Sequence, residues 1–111
     1  MNKRVTILFI LLLVIFCLDA DEIPGPVASA LNQHCADCHT GSSSKGGLDL
    51  ATLTYNLDDR KARDRWVLIH DRIKKGEMPP DSEDLPVSER LLITNALRGP
   101  VAKAERADIK L

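Results

Sequence analysis

Aromatic side chains are scarce, at 4% of 111 residues: one Trp, one Tyr and two Phe. The core must therefore lean on aliphatic side chains, or on something that is not protein. An excess of charge of one sign is also missing. Fifteen Lys and Arg stand against 16 Asp and Glu, a formal net charge of −1 at pH 7. That argues against nucleic acid as a partner, since a phosphate backbone attracts a net basic surface. No internal repeat is visible. No apolar run reaches the roughly 20 residues of a membrane-spanning helix. No acid, base and nucleophile gather into a catalytic set, which speaks for a non-enzyme. The 28% charged and 44% hydrophobic residues have the balance of a soluble globular chain, long enough for one small domain.

The longest apolar run covers residues 5–18 and is broken only by Thr6. Lys3 and Arg4 precede it, and Leu18-Asp19-Ala20 closes it on a small residue. This is the pattern of a cleaved export signal. Residues 1–20 are thus expected to be an address, with an uncleaved anchor as the main alternative. Cleavage would place the chain outside the cytoplasm, in the periplasm by expectation, with no membrane attachment left. It would remove Lys3, Arg4 and Asp19, taking the net charge from −1 to −2. Cys17 would leave as well; a lipid anchor there is disfavoured by the bulky Phe16 before it. Cys35 and Cys38 would remain, in a compartment that tolerates oxidised chemistry.

The rest reads as helices and loops, an all-α chain. Residues 21–26, rich in proline, form a linker. From Val27, Leu31 and Cys35 recur at helical spacing. Residues 40–47 are Ser/Gly-rich and read as a loop. Leu48, Leu50 and Leu53 alternate with polar or small residues too briefly to force a strand. Asp58 and Asp59 suit a helix N-terminus. On the helix that follows, Ala62, Trp66, Ile69, His70 and Ile73 share one face. Lys61, Arg63, Asp64, Arg65, Asp71, Arg72 and Lys75 give it a solvated face of mixed sign, and Gly76 supplies a stop. Residues 77–86 form a loop with three prolines. A last helix is expected from Pro86 or Ser88 to about Arg98, with an apolar side of Val87, Leu91, Ile93 and Leu97, ended by Gly99-Pro100. Residues 100–111 then make a polar tail, frayed helix or linker. Three such helices bury little apolar area, and so small a domain needs a metal, disulfides or a cofactor as a staple.

Cys35-Ala36-Asp37-Cys38-His39 is the informative stretch. On one helical turn, Cys35, Cys38 and His39 sit at i, i+3 and i+4 and project to one side. Two thiols can add to the vinyl groups at one edge of a porphyrin, and the imidazole beside the second then falls beneath the iron. Cys-x-x-Cys-His is the attachment signature of c-type haem, so one haem c per chain is expected. A zinc site would want four ligands. A dithiol redox centre would come with a βαβ pattern that is not seen. A disulfide across two residues would staple very little.

A second axial ligand follows by elimination. Met78 is the only methionine left after cleavage, in Gly76-Glu77-Met78-Pro79-Pro80. Pro79 disfavours helical geometry at Met78, and the two prolines stiffen the loop. A stiff extended loop can hold a sulfur over an iron, whereas a lone Met among Gly and Pro is poor core material. Met/His ligation raises the potential. His70 is the competing ligand and would give a bis-His haem. His34, next to Cys35, is expected at the surface or toward a propionate. Leu48, Leu50, Leu53, Trp66, Ile69, Ile73 and Leu92 are the candidate apolar haem wall.

With these residues in place, the span from about Val27 to Arg98 resembles a class I c-type cytochrome domain, and within that class the planctomycete-type cytochrome c. The matching elements are residues 34–40 around the haem motif, Lys45-Gly46-Gly47-Leu48-Asp49-Leu50, Trp66 with Asp71-Arg72-Ile73, Gly76 to Pro80, and the helix start Ser88-Glu89-Arg90-Leu91. The resemblance implies a small three-to-four-helix cytochrome c fold over residues 27–99, wrapped around one covalent haem, with His39 proximal and Met78 distal. In that family the domain often begins a much larger exported protein. Many class I cytochromes also place a proline soon after the motif, whose carbonyl orients the proximal histidine. Here no proline falls between Pro26 and Pro79, so another group, such as a backbone carbonyl within 41–48, must do so. The expected function is one-electron transfer to transient redox partner proteins after loading by the cytochrome c maturation machinery. The alternatives are a haem sensor or enzyme module with an open distal site, and a haem-wiring domain of a larger oxidoreductase.

Overall fold

The computed structural model describes residues 3, 22–42 and 44–109. The expected leader, residues 1–20, lies outside the described residues apart from Lys3. Among the described residues the architecture is all-helical: α1 (Gly25–His34), α2 (Arg60–Lys74) and α3 (Val87–Ile109), with short 3-10 turns at Lys45–Gly47 and Ser82–Asp84. No described helix is long and apolar enough to cross a membrane.

Local chemistry explains where the first two helices begin. Pro24 stands at the N-cap of α1 and Pro26 in its first turn, where a missing N–H costs nothing because those donors have no helical partner. Asp59 caps α2, its side chain accepting from the Lys61 N–H. At the other end Gly76 has φ 74°, the left-handed conformation that ends helices and that glycine adopts without a Cβ clash. Gly76 N–H donates to the Ile73 carbonyl and Glu77 N–H to the Arg72 carbonyl. This double closure satisfies carbonyls that the helix end leaves open.

The three helices bury one aliphatic core around a single indole. Val27, Ala30 and Leu31 of α1 meet Trp66, Ile69 and Ile73 of α2 and Ile93, Leu97 and Val101 of α3, closed off by Leu57 and Leu85 from the loops. Each large aliphatic side chain so buried contributes about 1.5–3 kcal/mol. Trp66 satisfies its one polar atom by donating to the Thr54 carbonyl at 2.9 Å, as a buried indole must. Tyr55 stands edge-on to it, ring centroids 5.3 Å apart. His34 Nε2 pairs with the Glu89 carboxylate, tying the end of α1 to the start of α3. The two facing atoms are buried. His34 is therefore a packed, partnered side chain rather than a surface one.

Three expectations about these elements are corrected. First, α3 does not stop at Gly99-Pro100 but runs on to Ile109 with Pro100 inside it. An interior proline costs roughly 3 kcal/mol. The residues beyond it supply compensation: Val101 is buried, Ala104 packs on the core, and Asp108 takes hydrogen bonds of 2.8 Å from both Arg60 and Arg63. Second, Arg63 is not solvated. It is only 4% exposed, with Nη1 donating to the Leu57 carbonyl and Nη2 to Asp108. Third, the apolar side of α3 is divided. Ile93 and Leu97 are fully buried, while Val87 and Leu91 are 72% and 54% exposed. Ile93, Leu97 and Val101 fall on one helical line; Val87 and Leu91 lie on another.

Candidate functional site

The Cys-x-x-Cys-His stretch begins where α1 ends. Cys35 is the C-cap, its N–H donating to the Leu31 carbonyl. The chain then keeps a helical turn beyond the cap: His39 N–H donates to the Cys35 carbonyl at 3.1 Å, and Cys38 N–H to the same carbonyl at 3.3 Å. Thr40 Oγ1 closes the turn on the Ala36 carbonyl. With backbone bonds of this i to i+3 and i to i+4 kind, Cys35, Cys38 and His39 share one side of the turn. Both thiols are free, Cys35 half-buried and Cys38 exposed. Burial, and secondarily the neighbouring Cys38, push the Cys35 thiol above its ordinary pKa. A dithiol redox catalyst is built the other way, with a lowered thiol pKa.

His39 is oriented by the loop that follows. Its Nδ1 donates to the Lys45 carbonyl at 2.9 Å. A carbonyl can only accept, so Nδ1 carries the proton and the lone pair of the neutral ring lies on Nε2. The loop is pinned back onto the motif twice more: Lys45 N–H donates to the Cys38 carbonyl at 2.8 Å and Leu50 N–H to the His39 carbonyl at 2.7 Å. Asp49 Oδ1 accepts from the N–H groups of Gly41 and Ala51. Gly46 and Gly47, at φ 65° and 69°, turn the chain just after the carbonyl that holds the ring. The expected backbone acceptor within 41–48 is thus the carbonyl of Lys45.

Met78 sits four residues past the end of α2, in the loop that Gly76 opens. Its N–H donates to the Arg72 carbonyl at 3.2 Å, and its carbonyl accepts from Arg90 Nη1 at 3.2 Å. The residue is 37% exposed. His70, the competing ligand, lies half-buried on α2 with Nδ1 donating to the Asp71 carboxylate at 2.9 Å.

The expected apolar wall divides by position. Leu50, Leu53 and Trp66 line, with Ala36 and Thr40 of the motif turn, a largely apolar cleft of about 270 Å³. Leu48 lines a neighbouring cleft of about 360 Å³ with Asp49, Lys61 and Arg65. Ile69 and Ile73 are core residues, and Leu92 is exposed. The sequence places Arg90 only at the start of the last helix; nothing in its spacing marks its bond to the Met78 loop.

The donor set fits a covalently held haem: two free thiols and an imidazole on one turn, with the imidazole nitrogen distal to its hydrogen bond left available. Among the described residues, no group of three or more His, Cys, Asp and Glu side chains is placed to hold a metal ion by itself. No curated protein and no solved structure matches the chain. Residues 35–82, from the first motif cysteine through the Met78 loop, match the family model described as Planctomycete cytochrome C.

Proposed function

We propose that this protein, whose residues 35–82 carry a planctomycete-type cytochrome c domain, is an exported one-electron carrier with a His/Met haem. The family implies haem c and haem-based electron transfer; the ligand set, the single copy and the location are our reading. Cys35 and Cys38 would hold the macrocycle through thioethers, His39 Nε2 would be the proximal ligand and Met78 the distal one. When bound, the haem supplies an Fe(III)/Fe(II) couple that passes one electron at a time.

The supporting observation is the 2.9 Å bond from His39 Nδ1 to the Lys45 carbonyl. It fixes the tautomer and the ring plane, as a second-shell acceptor does for a ligating histidine. Ligands fixed from behind need to move little between oxidation states. A neutral imidazole and a thioether add no charge at the metal, and the soft sulfur favours the ferrous form. Apolar side chains around the motif, Leu50, Leu53 and Trp66 among them, would keep water from the ring. Export follows from residues 1–20. Partners would be redox proteins that touch briefly over a small area, after attachment by the maturation machinery.

An absorption spectrum of protein exported from a host with c-type maturation machinery tests this, with a haem stain on a denaturing gel. The expected result is covalent haem with the weak far-red ferric band of thioether-to-iron ligation. Absence of haem would overturn the reading. The exposure of Met78 favours one second reading, a displaceable distal ligand suited to gas sensing or to an enzyme module. Carbon monoxide binding to the reduced protein at neutral pH would support it.

A further inference from the structure

Two prolines fix the local shape of the Met78 loop, but they do not fix where the loop stands relative to the helices. A side chain from α3 does. Arg90 Nη1 donates to the Ile73 carbonyl at 2.6 Å and to the Met78 carbonyl at 3.2 Å. Its Nη2 donates to the Ser82 carbonyl at 3.0 Å. One guanidinium therefore grips the last turn of α2, the methionine itself and the 3-10 turn beyond it. The planar fork of arginine suits such a task, because its donors leave in fixed, divergent directions. The helix it springs from is anchored, with Ile93 and Leu97 fully buried one and two turns on. With the N–H of Met78 held by Arg72, both main-chain polar groups of this residue are tied to helices.

We infer that Arg90 is a positioning residue for Met78, clamping the main chain around it so that the thioether keeps its place against competing ligands. This rests on the reading of Met78 as an axial ligand. The cationic donor is held by carbonyls, and hydrogen bonds from charged groups are the stronger kind. Without the clamp the loop spends more time displaced, and any ligand that competes with the sulfur gains apparent affinity in proportion.

The test uses mature ferric protein with covalent haem, as wild type, Arg90→Ala and Arg90→Lys. Each is titrated with imidazole while the far-red thioether band is followed, and each is also thermally unfolded. Arg90→Ala is expected to bind imidazole roughly tenfold more tightly or better, the scale of one charge-assisted hydrogen bond. Arg90→Lys should fall between, since an ammonium lacks the divergent fork. If wild type shows no thioether band, the Met78 reading fails and the inference falls with it. If wild type shows the band and Arg90→Ala stays within twofold in imidazole affinity, Arg90 is not a positioning residue while Met78 remains the ligand. A lowered Tm with unchanged imidazole affinity overturns the inference too, because it assigns Arg90 to stability alone. Should Arg90→Ala fail to mature, Arg90→Lys decides the question by the same titration.

Discussion

At the scale of single residues, the two expected iron ligands are held in different ways. His39 is set by a hydrogen bond to its ring, Met78 by hydrogen bonds to its main chain. Replacing Met78 with Ala should leave the thioether-linked haem in place but abolish the far-red band and lower the reduction potential, since the soft ligand that favours ferrous iron is gone. Optical spectra and redox titration check both. Cys35 offers a pH test in protein produced without haem. Its thiol is raised by burial and by Cys38, so it stays protonated to higher pH than a peptide thiol. Its alkylation by iodoacetamide should reach half-maximal rate at a pH above that of a cysteine in a short peptide. Stabilisation from keeping this thiol neutral is present below the ordinary thiol pKa and is lost as pH rises through the raised value. The single turn that gathers Cys35, Cys38 and His39 was readable from the sequence because it depends on residue type and spacing alone. The roles of Arg63 and Arg90 were not, because their acceptors, Leu57 and Asp108 for one and Ile73, Met78 and Ser82 for the other, are brought to them only by the fold.

At the scale of elements, the informative one is α3. The Gly99-Pro100 pair is a strong local stop, and a sequence reading that obeys local rules ends the helix there. What carries the helix onward is tertiary: Val101 and Ala104 pack on the core, and Asp108 meets the buried Arg63 guanidinium at 2.8 Å. Asp108→Ala should therefore cost about 1.5–3 kcal/mol, because it leaves Arg63 without its charged acceptor. In a domain of this size each 1 kcal/mol lowers Tm by about 4–8 °C, read by circular dichroism. Arg72→Ala removes a comparable-looking pair, Arg72 with Glu77 at 3.1 Å. Both partners there are about half exposed, so the loss should be under about 1 kcal/mol. The start of α2 and the Gly76 stop were legible because Asp59 and glycine act within their own turn. By contrast, α1 begins at Gly25, inside the stretch read as a linker, because a proline in the first helical turn loses no bond.

At the scale of the whole molecule, a small aliphatic core joins helices whose contacts run mainly through α3, packed against α2 and α1. Leu97 lies at its centre, fully buried. Leu97→Ala should cost about 2–5 kcal/mol, the range for emptying a closed aliphatic site, measured by guanidinium unfolding. A core of this size is a weak support by itself. Protein carrying the Cys35→Ser and Cys38→Ser pair, and so lacking a covalent link to haem, should unfold at a clearly lower guanidinium midpoint than the attached form. Leu57 and Leu85 belong to this core, yet no periodicity announces them. They are single apolar residues in loops, and only the closing of the three helices shows what they cover.

The group that orients His39 is the oxygen of a peptide bond, and every amino acid brings one. No substitution at position 45 can delete it. What a mutation can do is reroute the chain so that the oxygen aims elsewhere, and the places where that can happen are Gly46 and Gly47, whose left-handed turns any Cβ would resist. A histidine secured in this way is protected against side-chain mutation at position 45, the residue whose carbonyl secures it. Its genetic vulnerability is moved to two glycines whose part is to turn the chain.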